Sequence, residues 1–129
     1  MKVLALDYGS ARTGVAVSDP TGTIARPIGV VERAASESGL ARIAELVREE
    51  EAERVVVGLP LTLRGERGEQ ARETERFVEA LQAVVDVPVE SYDERFTTRL
   101  AQTVPGPDDA RAAAHLLSSY LEWSSAPRE

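Results

Sequence analysis

An aspartate ends the first apolar run of this chain. Val3-Leu4-Ala5-Leu6 leads directly into Asp7, followed by Tyr8-Gly9. A carboxylate at the end of an apolar strand is costly unless a metal ion or hydrogen bonds compensate its lost hydration. The competing reading is an Asx residue closing the turn. A second acidic position is Asp93-Glu94-Arg95, just after the last strand-like run; here the competing reading is a solvated loop with an internal acid–arginine pair. The third is Asp108-Asp109, at the start of the last helical stretch. Aspartate is a favoured N-cap and suits the positive end of a helix, but spacing separates the two. Asp109, Ala113, Leu116 and Tyr120 recur on one helical face, one that would pack on a sheet, whereas Asp108 falls about 100° away and reads as the cap. A carboxylate on that face needs a partner, and the other two acids are candidates. The chain has no cysteine and one histidine, His115. Three carboxylates are therefore an oxygen-only donor set, which suits Mg²⁺ or Mn²⁺ rather than zinc. With arginines nearby, such a set is the equipment of two-metal phosphodiester hydrolysis.

The elements that would position these acids follow from periodicity. Short strands are predicted from Val3 to Leu6, from Thr13 to Ser18 and around Ile24 to Val31, joined by turns at 9–12 and at Asp19-Pro20-Thr21-Gly22. They should form an antiparallel meander. From Ser36 the apolar residues Leu40, Ile43, Ala44, Leu46 and Val47 fall at helical spacing, with Ser36 or Ser38 as cap. RVVVG, from Arg54 to Gly58, reads as a strand buried on both faces. A loop from Thr62 to Gly68, a helix from Glu69 to Val85 and a strand from Pro88 to Ser91 follow. Tyr92 to Ala101 reads as a loop turning into a short helix, and the last helix starts at Gly106-Pro107-Asp108 and runs to about Trp123. The fold class is α/β: a mixed five-stranded sheet, three strands antiparallel and then two helix-connected parallel strands, flanked by helices. Strands one, four and five would be parallel neighbours. Sites in such sheets gather at the carboxyl ends of parallel strands, so Asp7 and Glu94 would leave the same edge.

Composition bounds the function. A chain of 129 residues accommodates one domain with a real core. The absence of cysteine excludes disulfide scaffolds, Cys-ligated zinc, iron–sulfur clusters and thiol catalysis. No apolar run approaches the ~20 residues of a membrane span, and the N-terminal segment meets an acid too early for a signal peptide. The expectation is a cytoplasmic protein with no membrane partner. The net charge of -7 argues against nonspecific coating of nucleic acid, though not against an enzyme with a local basic rim. Every basic side chain but Lys2 is arginine. Arginine suits bidentate phosphate contacts, and a GC-rich genome explains the bias equally well.

The motifs carry a resemblance. Leu6-Asp7-Tyr8-Gly9 with Gly14-Val15-Ala16-Val17, Val56-Val57-Gly58-Leu59-Pro60-Leu61 with Gly65, Asp93-Glu94-Arg95-Phe96-Thr97-Thr98, and Asp109 through Ser119-Tyr120-Leu121 occur in order over nearly the whole chain. In this the chain resembles the YqgF (RuvX) family, the Holliday-junction-resolvase-like proteins assigned as pre-16S rRNA nucleases. The resemblance implies an RNase H-like nuclease domain over residues 1–123, with 124–129 a frayed tail. It implies Asp7, Glu94 and Asp109 as catalytic, metal-binding acids for a two-ion Mg²⁺ or Mn²⁺ site, with Asp93 as a supplementary ligand. One departure matters. Family members usually have a longer, lysine-containing segment before the final aspartate, and here Leu100 to Asp108 is short and lysine-free. This leaves the choice between Asp108 and Asp109 open, and leaves Arg95, Arg99 and Arg111 as the nearest substitutes for the missing lysines, with Arg12, Arg64 and Arg67 on flanking loops. Thr97 and Thr98 either bind a phosphate or cap the following helix.

Three function classes follow. The first is a metal-dependent endonuclease acting on pre-rRNA, with ribosomal precursor particles as partners, or on branched DNA as a Holliday junction resolvase. The second is an ATP-binding phosphotransferase of the actin and sugar-kinase type, which opens with a similar Asp-x-Gly strand but needs two such domains. The third is a noncatalytic RNA- or ribosome-binding module. The remaining singular residues read as structural. His115 lies roughly 240° around the helix from Asp109, Tyr120 and Trp123 suit core or end packing, Tyr8 suits the wall beside Asp7, and Glu49-Glu50-Glu51 suits a solvated helix end.

Overall fold

The computed structural model describes residues 1–60, 68–93 and 109–125. Among these, five strands and three helices follow one another: β1 (Val3–Asp7), β2 (Arg12–Ser18), β3 (Ala25–Glu32), α1 (Glu37–Glu49), β4 (Arg54–Leu59), α2 (Glu69–Gln82), β5 (Val89–Asp93) and α3 (Asp109–Ser125). The strands form one sheet in the order β3-β2-β1-β4-β5. The expected meander is present, with β1–β2 and β2–β3 antiparallel, and β1, β4 and β5 are parallel neighbours. Among the described residues, no helix is long and apolar enough to cross a membrane.

Strand alternation sorts the sheet into two faces. Leu4, Leu6, Val15, Val17, Val55, Val57 and Val89 pack with Ile43 and Val47 of α1 and Phe77 and Leu81 of α2. Val3, Ala5, Ala16, Val56 and Tyr92 pack with Ala113, Leu116, Leu117, Tyr120 and Leu121 of α3. Because β1 and β4 are covered on both faces, they are continuous apolar runs rather than alternating ones, as a central parallel strand must be. Asp7 falls two residues beyond Ala5 and so on the α3 face. Tyr8 is on the other face, where its ring stacks on Phe77 at 4.4 Å between centroids.

Local chemistry explains the boundaries. Ser36 caps α1, its hydroxyl accepting from the Gly39 amide at 3.1 Å. The β2–β3 turn is organised by the Asp19 carboxylate, which accepts from the amides of Thr23 and Ile24 at 2.8 and 2.9 Å and from the Thr21 hydroxyl. These bonds hold its carboxyl well below the usual carboxylate range. Gly22 in that turn adopts φ +73°, which a side chain would oppose.

Some limits differ from the sequence expectation. Helix α2 ends at Gln82 rather than Val85: Ala83 is its C-cap, and the amides of Val84 and Val85 both fold back to the Leu81 carbonyl. Strand β5 runs to Asp93, so Tyr92 and Asp93 are strand residues and not the start of a loop. Helix α3 is described from Asp109 and runs to Ser125, two residues beyond the end expected at Trp123 and into the segment expected to fray. The loop expected from Thr62 (described only at Gly68), the short helix expected before Ala101 and the proposed cap Asp108 lie outside the described residues.

Candidate functional site

Asp7 ends β1 at the carboxyl edge of the sheet and is half-buried. Its antiparallel neighbour on β2 is Gly14. Its parallel neighbour on β4, one step beyond the paired Leu6 and Val57, is the buried Gly58. In this row of the α3 face, Asp7 therefore stands between two residues without side chains. Gly14 has a specific use. A Cβ built there would lie 1.7 Å from the Asp109 carbonyl oxygen, 2.2 Å from its carbon and 2.9 Å from the Ala110 nitrogen. The first turn of α3 thus rests directly on the β2 backbone, in the row next to Asp7. Only a glycine permits that approach.

Asp109 is brought beside Asp7 by this contact. Helical spacing had identified its helix face correctly, since Ala113, Leu116 and Tyr120 are all buried. The Asp109 carboxylate itself is not buried, with its side chain 40% exposed. The partner the structure gives it is a cation and not another carboxylate: Arg12 Nε lies 3.2 Å from Asp109 Oδ2. Arg12, expected to contact substrate, is the first residue of β2 and is two-thirds exposed at the same edge.

Of the Asp93-Glu94 pair, only Asp93 is among the described residues, as the last residue of β5. Asp93 pairs with Leu59, one residue beyond the Asp7 row. At the usual spacing of adjacent strands, β5 runs about 10 Å from β1, with β4 between them. Glu94, Arg95, Thr97, Thr98 and Arg99, which follow Asp93 in the chain, lie outside the described residues, as do Arg64 and Arg67. Among the described residues, no group of three His, Cys, Asp or Glu side chains could hold a metal ion.

Neighbouring side chains brace this edge. The Tyr8 hydroxyl donates to Glu73 of α2 at 3.3 Å, and burial together with the Glu73 charge pushes its phenol up. Tyr8 is a wall residue tying the end of β1 to α2. At the other end of α3, Tyr120 accepts from Arg54 Nη1 at 2.9 Å and donates to the Glu90 carboxylate. Tyr92, Tyr120 and Trp123 form an aromatic cluster with centroids 5.6 to 5.9 Å apart, which ties α3 to the edge strand β5. His115 is half-buried on α3. Glu49 pairs with Arg42, and Glu50 pairs with Lys2 and Arg26, as a solvated helix end would. The residue that sequence reasoning missed is Gly14 in its role as the seat for Asp109. Its signal was present: a glycine inside a β-branched strand marks a close backbone approach.

Comparison with known proteins identifies the family. The family model RuvX, described as Holliday junction resolvase, matches residues 1–123. A protein of Chloroflexus aggregans named "Putative pre-16S rRNA nuclease" is 50% identical, over 93% of this chain and 92% of its own length. A protein of the same name from Anaeromyxobacter sp. is 41% identical over 95% and 97%. Among solved structures, Thermus thermophilus RuvC in complex with a Holliday junction substrate superposes with a TM-score of 0.68 at 20% identity, over 96% of this chain and 94% of that one. The fowlpox virus Holliday junction resolvase gives 0.56 at 12%, over 95% and 99%. The fold is RNase H-like, and the chain belongs to the RuvX (YqgF) family.

Proposed function

We propose that this chain is a divalent-metal-dependent endonuclease that cleaves a phosphodiester in pre-16S rRNA, at the 5′ end, within ribosomal precursor particles in the cytoplasm. The observation that carries the reading is the seating of α3 on Gly14, which sets Asp109 in the row beside Asp7 at the carboxyl edge of the sheet.

The donor chemistry fits a hard cation. Asp7 and Asp109 offer oxygen ligands alone, and the Asp109 carboxylate already takes a cationic group, the Arg12 guanidinium. Asp7, Asp109 and Glu94 would hold Mg²⁺ or Mn²⁺ in a two-ion site. When bound, such ions supply activation of water and charge stabilisation at the phosphate. The chain's own residues do the positioning. The β1–β2 pairing fixes Asp7, the Gly14 contact fixes the backbone of Asp109, and Tyr8 anchors the end of β1 to α2. Arg12, Arg95 and Arg99 would hold the strand by its phosphates, with Thr97 and Thr98 contributing hydroxyls, and Asp93 would support the ligand set.

A second reading is branched DNA as substrate, favoured by the family description and by the resolvase neighbours. One experiment separates them. Wild type and Asp7→Asn are incubated with Mn²⁺ and either an RNA carrying the pre-16S 5′ leader or a four-way DNA junction. Cleavage of the RNA by wild type alone is the expected result. Cleavage of the junction alone selects the second reading, and cleavage of neither selects a noncatalytic binding module.

A further inference from the structure

We propose that Arg12 is an internal counter-cation for the metal site: its guanidinium occupies Asp109 while no divalent ion is bound, yields when one binds, and then takes a phosphate of the substrate strand. The inference rests on the metal reading above.

Four observations support it. Arg12 Nε is 3.2 Å from Asp109 Oδ2, so it stands on a carboxylate that the metal would need. The backbones on both sides are pinned. Gly9 packs so tightly that a Cβ there would lie 2.5 Å from the Arg12 carbonyl oxygen, and the Ala11 carbonyl accepts from Arg33 at 3.0 Å. Asp109 rests on Gly14. The Arg12 side chain, in contrast, is 66% exposed and can swing without moving β2 or α3.

The energetics point the same way. Asp109 rests on Gly14, the strand neighbour of Asp7, and Arg12 supplies one positive charge that offsets the negative charge at this edge. An exposed ion pair of this kind is worth at most a factor of about five in an equilibrium constant, so a divalent ion displaces it readily. A guanidinium that stayed within about 5 Å of the ion would repel it, which drives the side chain outward, toward the solvent side where a phosphate would lie.

The test is calorimetric titration with Mn²⁺ alone, without nucleic acid, on wild type, Arg12→Gln and Arg12→Lys. Arg12→Gln should bind Mn²⁺ about twofold to fivefold more tightly, with the gain shrinking at high salt. Arg12→Lys should stay near wild type. The metal-free melting temperature of Arg12→Gln should fall. Binding of the pre-16S leader RNA, measured with Ca²⁺ in place of Mn²⁺, should weaken in Arg12→Gln, with its salt slope reduced by about one. Unchanged or weaker Mn²⁺ affinity in Arg12→Gln would overturn the inference, because Arg12 would then position Asp109 instead of competing for it. Tighter Mn²⁺ binding with unaltered RNA binding would overturn the released-arginine half. If wild type takes up no Mn²⁺, the metal reading itself fails, a result distinct from wild-type binding that Arg12→Gln leaves unchanged.

Discussion

Gly14→Ala adds one methyl group and should dismantle the site. The new Cβ would meet the Asp109 carbonyl oxygen at 1.7 Å, where ordinary contact begins near 3.4 Å, so the start of α3 must lift by about 1.7 Å. All three atoms it meets are backbone, and no rotamer change relieves the clash. Overpacking of this kind costs roughly 1–3 kcal/mol. Against it, alanine in a strand regains about 0.5–1 kcal/mol of the entropy that glycine loses on folding. The net loss is then about 0–2.5 kcal/mol. For a chain of 129 residues, one kcal/mol shifts Tm by about 4 °C, so a drop of up to about 10 °C is expected. The functional effect should be larger than the stability effect, because an ångström-scale misplacement of a catalytic group can cost about 100-fold in rate.

Two other glycines separate these effects. At Gly39 a Cβ would lie 2.2 Å from the Arg33 carbonyl oxygen and 2.6 Å from the Ala34 Cα, a comparable backbone clash at the start of α1. Gly39→Ala should lower Tm without changing Mn²⁺ affinity or the rate per folded molecule. At Gly68, the N-cap of α2, a Cβ meets nothing within 4 Å; the loss of a favoured cap residue is offset by the smaller unfolded-chain entropy of alanine, so Gly68→Ala should change Tm by about 2 °C at most. The assays are thermal denaturation, Mn²⁺ calorimetry and single-turnover RNA cleavage. A folded Gly14→Ala protein with Mn²⁺ affinity and rate within about twofold of wild type would refute the claim that this contact sets Asp109 in place.

Three further outcomes are expected. Asp7→Asn should abolish metal-dependent cleavage while leaving the metal-free Tm unchanged or raised, because it relieves repulsion between crowded carboxylates; a large drop in Tm would make Asp7 a structural residue. Tyr120→Phe removes the hydroxyl that accepts from Arg54 and donates to Glu90 and should cost about 1 kcal/mol in chemical denaturation, with no loss meaning that the Arg54–Glu90 pair carries the contact alone. Asp19 has a depressed folded pKa, so its stabilisation is present above the unfolded value near 3.9 and is lost as pH falls below it. Asp19→Asn should therefore flatten the fall of Tm between about pH 4 and pH 2, and an unchanged acid slope would contradict that role.

What could be read in advance divides along physical lines. The meander, the parallel pair and the helix faces were readable because each rests on local periodicity: Leu4 and Leu6 against Val3 and Ala5, or Ala113, Leu116 and Tyr120 along α3. The place of Asp7 at the end of β1 was readable because a carboxylate that closes an apolar run is locally anomalous. The Arg12–Asp109 pair was not, because it joins residues nearly a hundred positions apart and neither side chain signals the other. Spacing assigned Asp109 to the packed face, but it could not show that the Asp109 backbone rests on Gly14 of β2 or that its carboxylate meets Arg12.

The same contact explains why a reading that weighs only reactive side chains leaves the site incomplete. Asp7 and Asp109 would donate the ligands, yet their meeting depends on a residue with no side chain at all. Any larger residue at 14 would hold α3 off the sheet and separate the two acids. Gly58 stands on the other flank of Asp7, in the direction of β5. The row Gly14, Asp7, Gly58 thus presents one carboxylate between two gaps, the first filled by the backbone of Asp109. Chemistry at this edge depends as much on which positions are empty as on which are charged.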